Sequence, residues 1–225
     1  MPLTPAQIAQ LHDAITGYAF PAVYFDFNNN IEITAQNMGE VEAVLADQLK
    51  SQQLVITKHG LANVLYWGYA QIPYGGRRVH NFMSKVSHQQ IINFQSLINA
   101  DADNIPTPTA VCRCCLPEYS GMSFISKILM FLNPSDHCVL DQQLAKLRTP
   151  GSPKILNDLI FRPNETQIRI TNRNEAVYNG WRNECAAISQ MYFQGIYRVV
   201  DIERGFFNLI QRNNLLDAQT IYNDA

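Results

Sequence analysis

No stretch of the 225-residue chain stays apolar for the roughly 20 residues that a membrane-spanning helix needs; the longest runs, such as Ile128–Leu132, are far shorter. A span across a bilayer is therefore not expected. The first residues show no basic start, no apolar core of signal-peptide length and no small-residue cleavage pattern, so export is not expected and the cytoplasm is the expected location. Cysteine is scarce and odd in number. There are five, with Cys112, Cys114 and Cys115 crowded together, unlike the paired, spread positions of a secreted disulfide framework. Charge is sparse too: the formal net charge is −2, with 5 basic and 8 acidic side chains in residues 1–112 and 12 and 11 in the remainder. Neither half has the positive footprint of a protein that coats nucleic acid, which leaves room for a local patch only. The absence of a P-loop, a dinucleotide fingerprint, a Gly-x-Ser-x-Gly elbow and a His-Glu-x-x-His pattern removes several common enzyme classes.

What is present is 47% hydrophobic composition, enough for residues 1–225 to build the core of one domain. The pattern is mainly helical. Thr4-Pro5-Ala6-Gln7 supplies a capping hydroxyl, an early proline and a reciprocal Gln ahead of Ile8, Leu11, Ile15 and Tyr18. Asn37 with Glu40, and Ser87 with Gln90, repeat that start signal. Val23–Phe27 and Ile31–Thr34 flank an Asn-rich turn and read as a small N-terminal β-hairpin, while Leu61, Val64, Leu65 and Trp67 mark a buried helix over 60–70. Asp101–Pro108, with two prolines, reads as the connection between a lobe of residues 1–100 and a lobe of residues 108–225. Beyond it the pattern predicts a helix from Thr107-Pro108 to about Leu116, another over Met122–Leu132, and one starting at Ser152-Pro153. A strand is expected over Gln167–Thr171. Val177, Trp181, Cys185, Ile188 and Tyr192 share one helical face, and Asp201 is expected to head a final helix.

From Leu116 to Leu147 the chain reads LPEYSGMSFISKILMFLNPSDHCVLDQQLAKL: helix, tight turn, nearly all-apolar helix, Pro, a short extended step, then Asp141 opening another helix. This segment resembles the helix-hairpin-helix (HhH-GPD) superfamily of base-excision DNA glycosylases. The resemblance implies two helical lobes around the hairpin, duplex DNA as partner, no cofactor, and hydrolysis of the N-glycosidic bond of a damaged or modified base. It implies a hairpin at Gly121 and Ser123 whose amides meet a DNA phosphate, and gives Asp141 the family aspartate's role of stabilising the cationic sugar as the base departs. Two departures stand out. Only Gly121 remains of the family's two hairpin glycines, with Met122 or Ser123 at the second. Aligning Ser126 with the family's helix-packing alanine puts Phe124, not a lysine, in the nucleophile slot, and Lys127 lies three residues further on as an expected partner for Asp141.

Each of these residues also has a plainer reading. Asp141 before Gln142, Gln143 and Leu144 is what a helix N-cap looks like. Lys127 on an apolar helix either snorkels or faces a polar cleft, sharing a face with Ser123. Gly75-Gly76-Arg77-Arg78 reads as a flexible turn bearing two guanidinium groups, followed by His80 and Lys85: a phosphate-binding candidate or a solvated loop. Tyr66 and Trp67 suit stacking on an extruded base or packing in the core. Cys112, Cys115, His137 and Cys138 permit a zinc proposal, although Cys112 and Cys115 also suit one packed helical face, so no metal is expected. His59, Glu184, Asp201 and Glu203 are further polar candidates. The alternative to an enzyme is a helical binding or regulatory module in which the hairpin is architecture and the acidic N-terminal lobe contacts another protein.

Overall fold

A computed structural model describes residues 2–100, 105–162 and 164–225. Ten α-helices and one two-stranded antiparallel hairpin form the regular structure of these residues, so the fold is mainly α. None of the helices is long and apolar enough to cross a membrane. The elements fall into two units, residues 20–133 and residues 1–19 with 134–225.

In the unit of residues 20–133, β1 (Val23–Asp26) pairs with β2 (Ile31–Thr34) in the register Asp26 opposite Ile31. The turn forms because Asp26 Oδ1 accepts the N–H groups of Asn28 and Asn29, while Asn30 adopts a left-handed φ of 56°. The strand is docked by Asn63, which is buried in α3 (Leu54–Gly68): its Oδ1 accepts from Phe25 N at 2.7 Å and its Nδ2 donates to Phe25 O at 3.1 Å. α2 (Met38–Leu49) is capped by Asn37, and α5 (His88–Asn99) begins with the reciprocal Ser87–Gln90 box.

Gly75-Gly76-Arg77-Arg78 is not a flexible turn but the first turn of α4 (Gly75–Lys85). Its glycine serves close approach, since a Cβ at Gly75 would sit 2.6 Å from the Tyr69 Cβ and 3.0 Å from its carbonyl oxygen. Residues 101–104 of the expected connection lie outside the described residues. α6 (Pro108–Cys112), capped by Thr107, stops short of the expected Leu116 because Cys115 (φ 52°) and Glu118 (φ 70°) leave helical conformation. α7 (Met122–Leu132) has the expected bounds and packs on α2, α3 and α6. α6 and α7 thus belong with the elements of residues 20–100, and the unit boundary follows Asn133 rather than the connection at 101–108.

The other unit holds α1 (Pro5–Thr16), with its Thr4–Gln7 capping box, against α9 (Val199–Gln211), which also packs on α8 (Asn172–Phe193). Val177, Trp181, Cys185 and Ile188 of α8 are buried, as their spacing requires. Gln167–Thr171 forms no strand; Thr171 instead caps α8, its Oγ1 accepting from Asn174 N at 3.1 Å. The helix expected at Ser152-Pro153 shrinks to a 3-10 turn over Ile155–Asp158. Asp201 is the third residue of α9, not its head, and α9 is not final. Asn213 turns the chain with a φ of 63°, and α10 (Leu215–Asp224) follows, burying Ala218, Ile221 and Tyr222.

Candidate functional site

Asp141 is delivered by an extended, buried segment that α8 and α9 pin along its length. Tyr178 Oη donates to Cys138 O at 3.2 Å, Trp181 Nε1 to Val139 O at 3.1 Å, and Val139 N to Glu203 Oε2 at 3.4 Å. The segment needs these partners because its backbone polar groups are otherwise buried without a ladder. Asp141 itself is half-buried, and its Oδ1 accepts from Gln143 N at 2.9 Å and Leu144 N at 3.2 Å. The helix it is expected to open is a single 3-10 turn over Leu144–Leu147. The turn ends where Arg148 takes extended backbone (φ −58°, ψ 131°).

Within its own unit the Asp141 carboxylate acts on the Tyr18 hydroxyl, as do Glu203 and Arg204. Burial pushes the Tyr18 hydroxyl well above its ordinary range; Arg204, hydrogen-bonded to it, opposes that rise, while Glu203 and Asp141 add to it. The Arg204 guanidinium lies 5.2 Å from the Tyr18 ring centroid and 3.8 Å from Asp201. Burial disfavours the charged form of Asp201, but the hydrogen bonds and charge of Arg198, joined by the charge of Arg204, together outweigh it and hold the carboxyl below its usual range. The half-buried Tyr18 thus lies in the field of the half-buried Asp141 carboxylate, a buried acid and a buried guanidinium. In the sequence Tyr18 is only the last position of a helical face, and α1 ends at Thr16 before reaching it. Arg204 was missed, although a cation between the inward-facing Ile202 and Phe206 was a signal that a buried partner existed. Glu184 takes no part: it accepts from Ile155 N at 3.1 Å and from the Tyr222 hydroxyl.

Lys127 and the hairpin belong to the unit of residues 20–133, and Asp141 to the other. Lys127 is buried, with Nζ 3.1 Å from Ser123 Oγ, 3.4 Å from Ser123 O and 5.1 Å from the Phe124 ring centroid. α7 starts from Gly121 without a side-chain cap. Gly121 is buried and extended (φ −129°), a conformation open to any residue, while Ser123 is half-buried. Arg78 is ion-paired, Nη1 lying 2.7 Å from Glu118 Oε2 in the turn before α7, whereas Arg77, His80 and Lys85 are exposed.

The two aromatic candidates separate. Tyr66 is half-buried, its ring 5.3 Å from Phe25 and its hydroxyl bonded to Glu32; burial, then Glu32, push that hydroxyl up to about 12. Trp67 is a core residue, 3% exposed, with Phe20 and Phe131 rings 4.9 and 5.0 Å away, so it offers no face to a base. His59 is half-buried against Phe27 at 5.0 Å. Among the described residues no group of three or more His, Cys, Asp or Glu side chains is placed to hold a metal ion. No protein-family model, no curated protein and no solved structure matches the chain.

Proposed function

We propose that the chain is a DNA-binding protein of the base-excision glycosylase type, acting on the N-glycosidic bond of a damaged or modified base. The observation that carries this reading is Asp141, a half-buried carboxylate fixed by two backbone N–H groups at the end of a segment pinned by Tyr178, Trp181 and Glu203. A carboxylate held in this way offsets the positive charge that develops on a deoxyribose as its base leaves, without having to reorganise. The uncapped start of α7 at Met122 and Ser123 supplies amides for a backbone phosphate, and Arg77 adds an exposed cation. Lys127, held by Ser123 and Phe124, acts as a fixed charge beside the hairpin rather than as a Schiff-base amine.

A binding module without chemistry is favoured by two other observations, the burial of Gly121 and the engagement of Arg78 with Glu118, both of which reduce what the hairpin region offers to a phosphate. One experiment separates the readings. Duplexes carrying a panel of damaged or modified bases are incubated with the protein and with Asp141→Asn. Base release that depends on Asp141 is expected; release from none of them, with binding intact, leaves the module. Borohydride trapping is expected to capture no Lys127 adduct.

A further inference from the structure

Tyr69 ends α3 and Tyr74 precedes α4, so the two rings stand at either end of one short turn, tied by Ile72 N to Tyr69 O at 2.8 Å and Gly75 N to Ile72 O at 3.0 Å. Their centroids are 6.1 Å apart, and Tyr69 lies 4.5 Å from Phe124 on α7 at an interplanar angle of 39°. Phe124 meets the edge of Tyr119 at 6.2 Å, and Tyr119 meets Phe82 at 5.8 Å. The row therefore runs from fully buried rings, Phe82 and Tyr119, through half-buried ones to Tyr74, which is 52% exposed beside the exposed Ile72. A Cβ at position 68 would come within 2.5 Å of Phe124 Cε1, so the glycine there lets that ring lie against the end of α3.

Charge accompanies the rings. α4 carries Arg77, Arg78 and Lys85 and no acid, with Arg77 and Lys85 exposed, and Lys127 Nζ stands over Phe124. An exposed ring next to exposed cations matches a polymer that joins flat bases through phosphates; a neutral sugar or an aliphatic peptide would leave Arg77 and Lys85 unused. We propose that Tyr74, backed by Tyr69 and Phe124, forms with the basic side of α4 a stacking platform for an unpaired base in a DNA strand. This rests on the DNA-binding reading above and adds the group that would receive an unstacked base, a role expected of Tyr66 and Trp67 and closed to Trp67 by its burial.

The test is fluorescence anisotropy with a labelled single-stranded oligothymidine and a fully paired duplex of equal length, on the full chain, with folding followed by circular dichroism. Tyr74→Ala is expected to weaken single-strand binding about 5- to 100-fold, and Tyr74→Phe, which keeps the ring, to stay within about twofold. Arg77→Ala is expected to lower the salt dependence of single-strand binding by about 0.7 in log–log slope, the value for one phosphate contact. The platform is overturned if wild-type protein binds no single strand, if Tyr74→Ala binds like wild type, or if Tyr74→Phe falls as far as Tyr74→Ala. Failure here and failure of the glycosylase reading look different. Asp141-dependent base release with neutral Tyr74 variants removes the platform alone, and ring-dependent strand binding without base release removes the chemistry alone.

Discussion

His137 Nδ1 lies 3.1 Å from the Tyr178 hydroxyl, and that hydroxyl donates to the Cys138 carbonyl at 3.2 Å. A phenol has one hydrogen and a carbonyl only accepts, so Nδ1 must itself carry a proton and donate to Tyr178. Burial pushes the His137 pKa down from 6.5 to about 3, with Arg182 acting in the same direction and Asp136 against it. The unfolded chain takes up the proton that the folded chain refuses. The contribution to stability is therefore fully present above pH 6.5 and is lost as pH falls from there toward 3. The slope over that window is up to about 1.4 kcal/mol per pH unit. Urea titrations of His137→Asn, which cannot titrate, should show an acid limb shallower by one proton; identical limbs would assign the acid sensitivity to another group.

Glu118 holds the turn before α7 to α4, accepting from Arg78 Nη1 and from Asn81 Nδ2, both at 2.7 Å, and does so from a left-handed backbone with φ 70°. Its side chain is 9% exposed and that of Arg78 43%, so water weakens the pair from one side only. Glu118→Gln is expected to cost about 1–2 kcal/mol, mostly through loss of the charge-assisted bonds. Glu118→Gly should be more stable than Glu118→Ala by about 1 kcal/mol, because only glycine adopts this φ without strain. Denaturant midpoints rank the three variants, and the reverse order of Gly and Ala would mean that the turn relaxes out of the left-handed region.

Local signals carried most of what could be read from the sequence. The Thr4–Gln7 and Ser87–Gln90 boxes, the Asn-rich hairpin and the bounds of α7 all depend on residues within a few positions of one another. Elements fixed by distant contacts were misread. Gly75-Gly76 suggests a loop until Tyr69 is known to lie against it, and the positive φ of Glu118 leaves no trace in a sequence. Trp67 was legible after all: it continues the buried face of Leu61, Val64 and Leu65, and that periodicity outweighs a stacking role. At the candidate site, what the sequence makes legible is the capping role of Asp141 ahead of Gln142, Gln143 and Leu144. Tyr18, just beyond α1, and Arg204 of α9 meet from opposite ends of the sequence, which no local pattern can join.

The chain's two tryptophans offer a matched comparison. Both are buried, but Trp181 Nε1 donates to Val139 O at 3.1 Å, whereas Trp67 Nε1 has no partner among the described residues. Replacement by Phe removes similar volume at each position. At Trp181 it also strips a buried carbonyl of its donor, and at Trp67 it deletes an unsatisfied one. Trp181→Phe is thus expected to cost about 1–3 kcal/mol more than Trp67→Phe in chemical denaturation followed by circular dichroism. Equal costs would indicate that a bound water serves the Trp67 indole.

Asp141 caps a turn, and the proposed function gives it an electrostatic task as well; two substitutions divide them. Its Oδ1 caps the turn through the Gln143 and Leu144 N–H groups. Asn keeps an acceptor oxygen there and loses the charge; Ala loses both. Asp141→Asn should remain within about 0.5 kcal/mol of wild type while Asp141→Ala loses about 1 kcal/mol, the usual worth of such a cap. Base release, by contrast, should fall about 100-fold or more in both, since the developing sugar cation responds to charge and not to hydrogen-bond acceptance. Parallel melting curves and base-release assays on the two variants supply the comparison. If Asn preserved release and only Ala abolished it, the carboxylate's charge would play no part in the chemistry, and Asp141 would act as a turn cap alone.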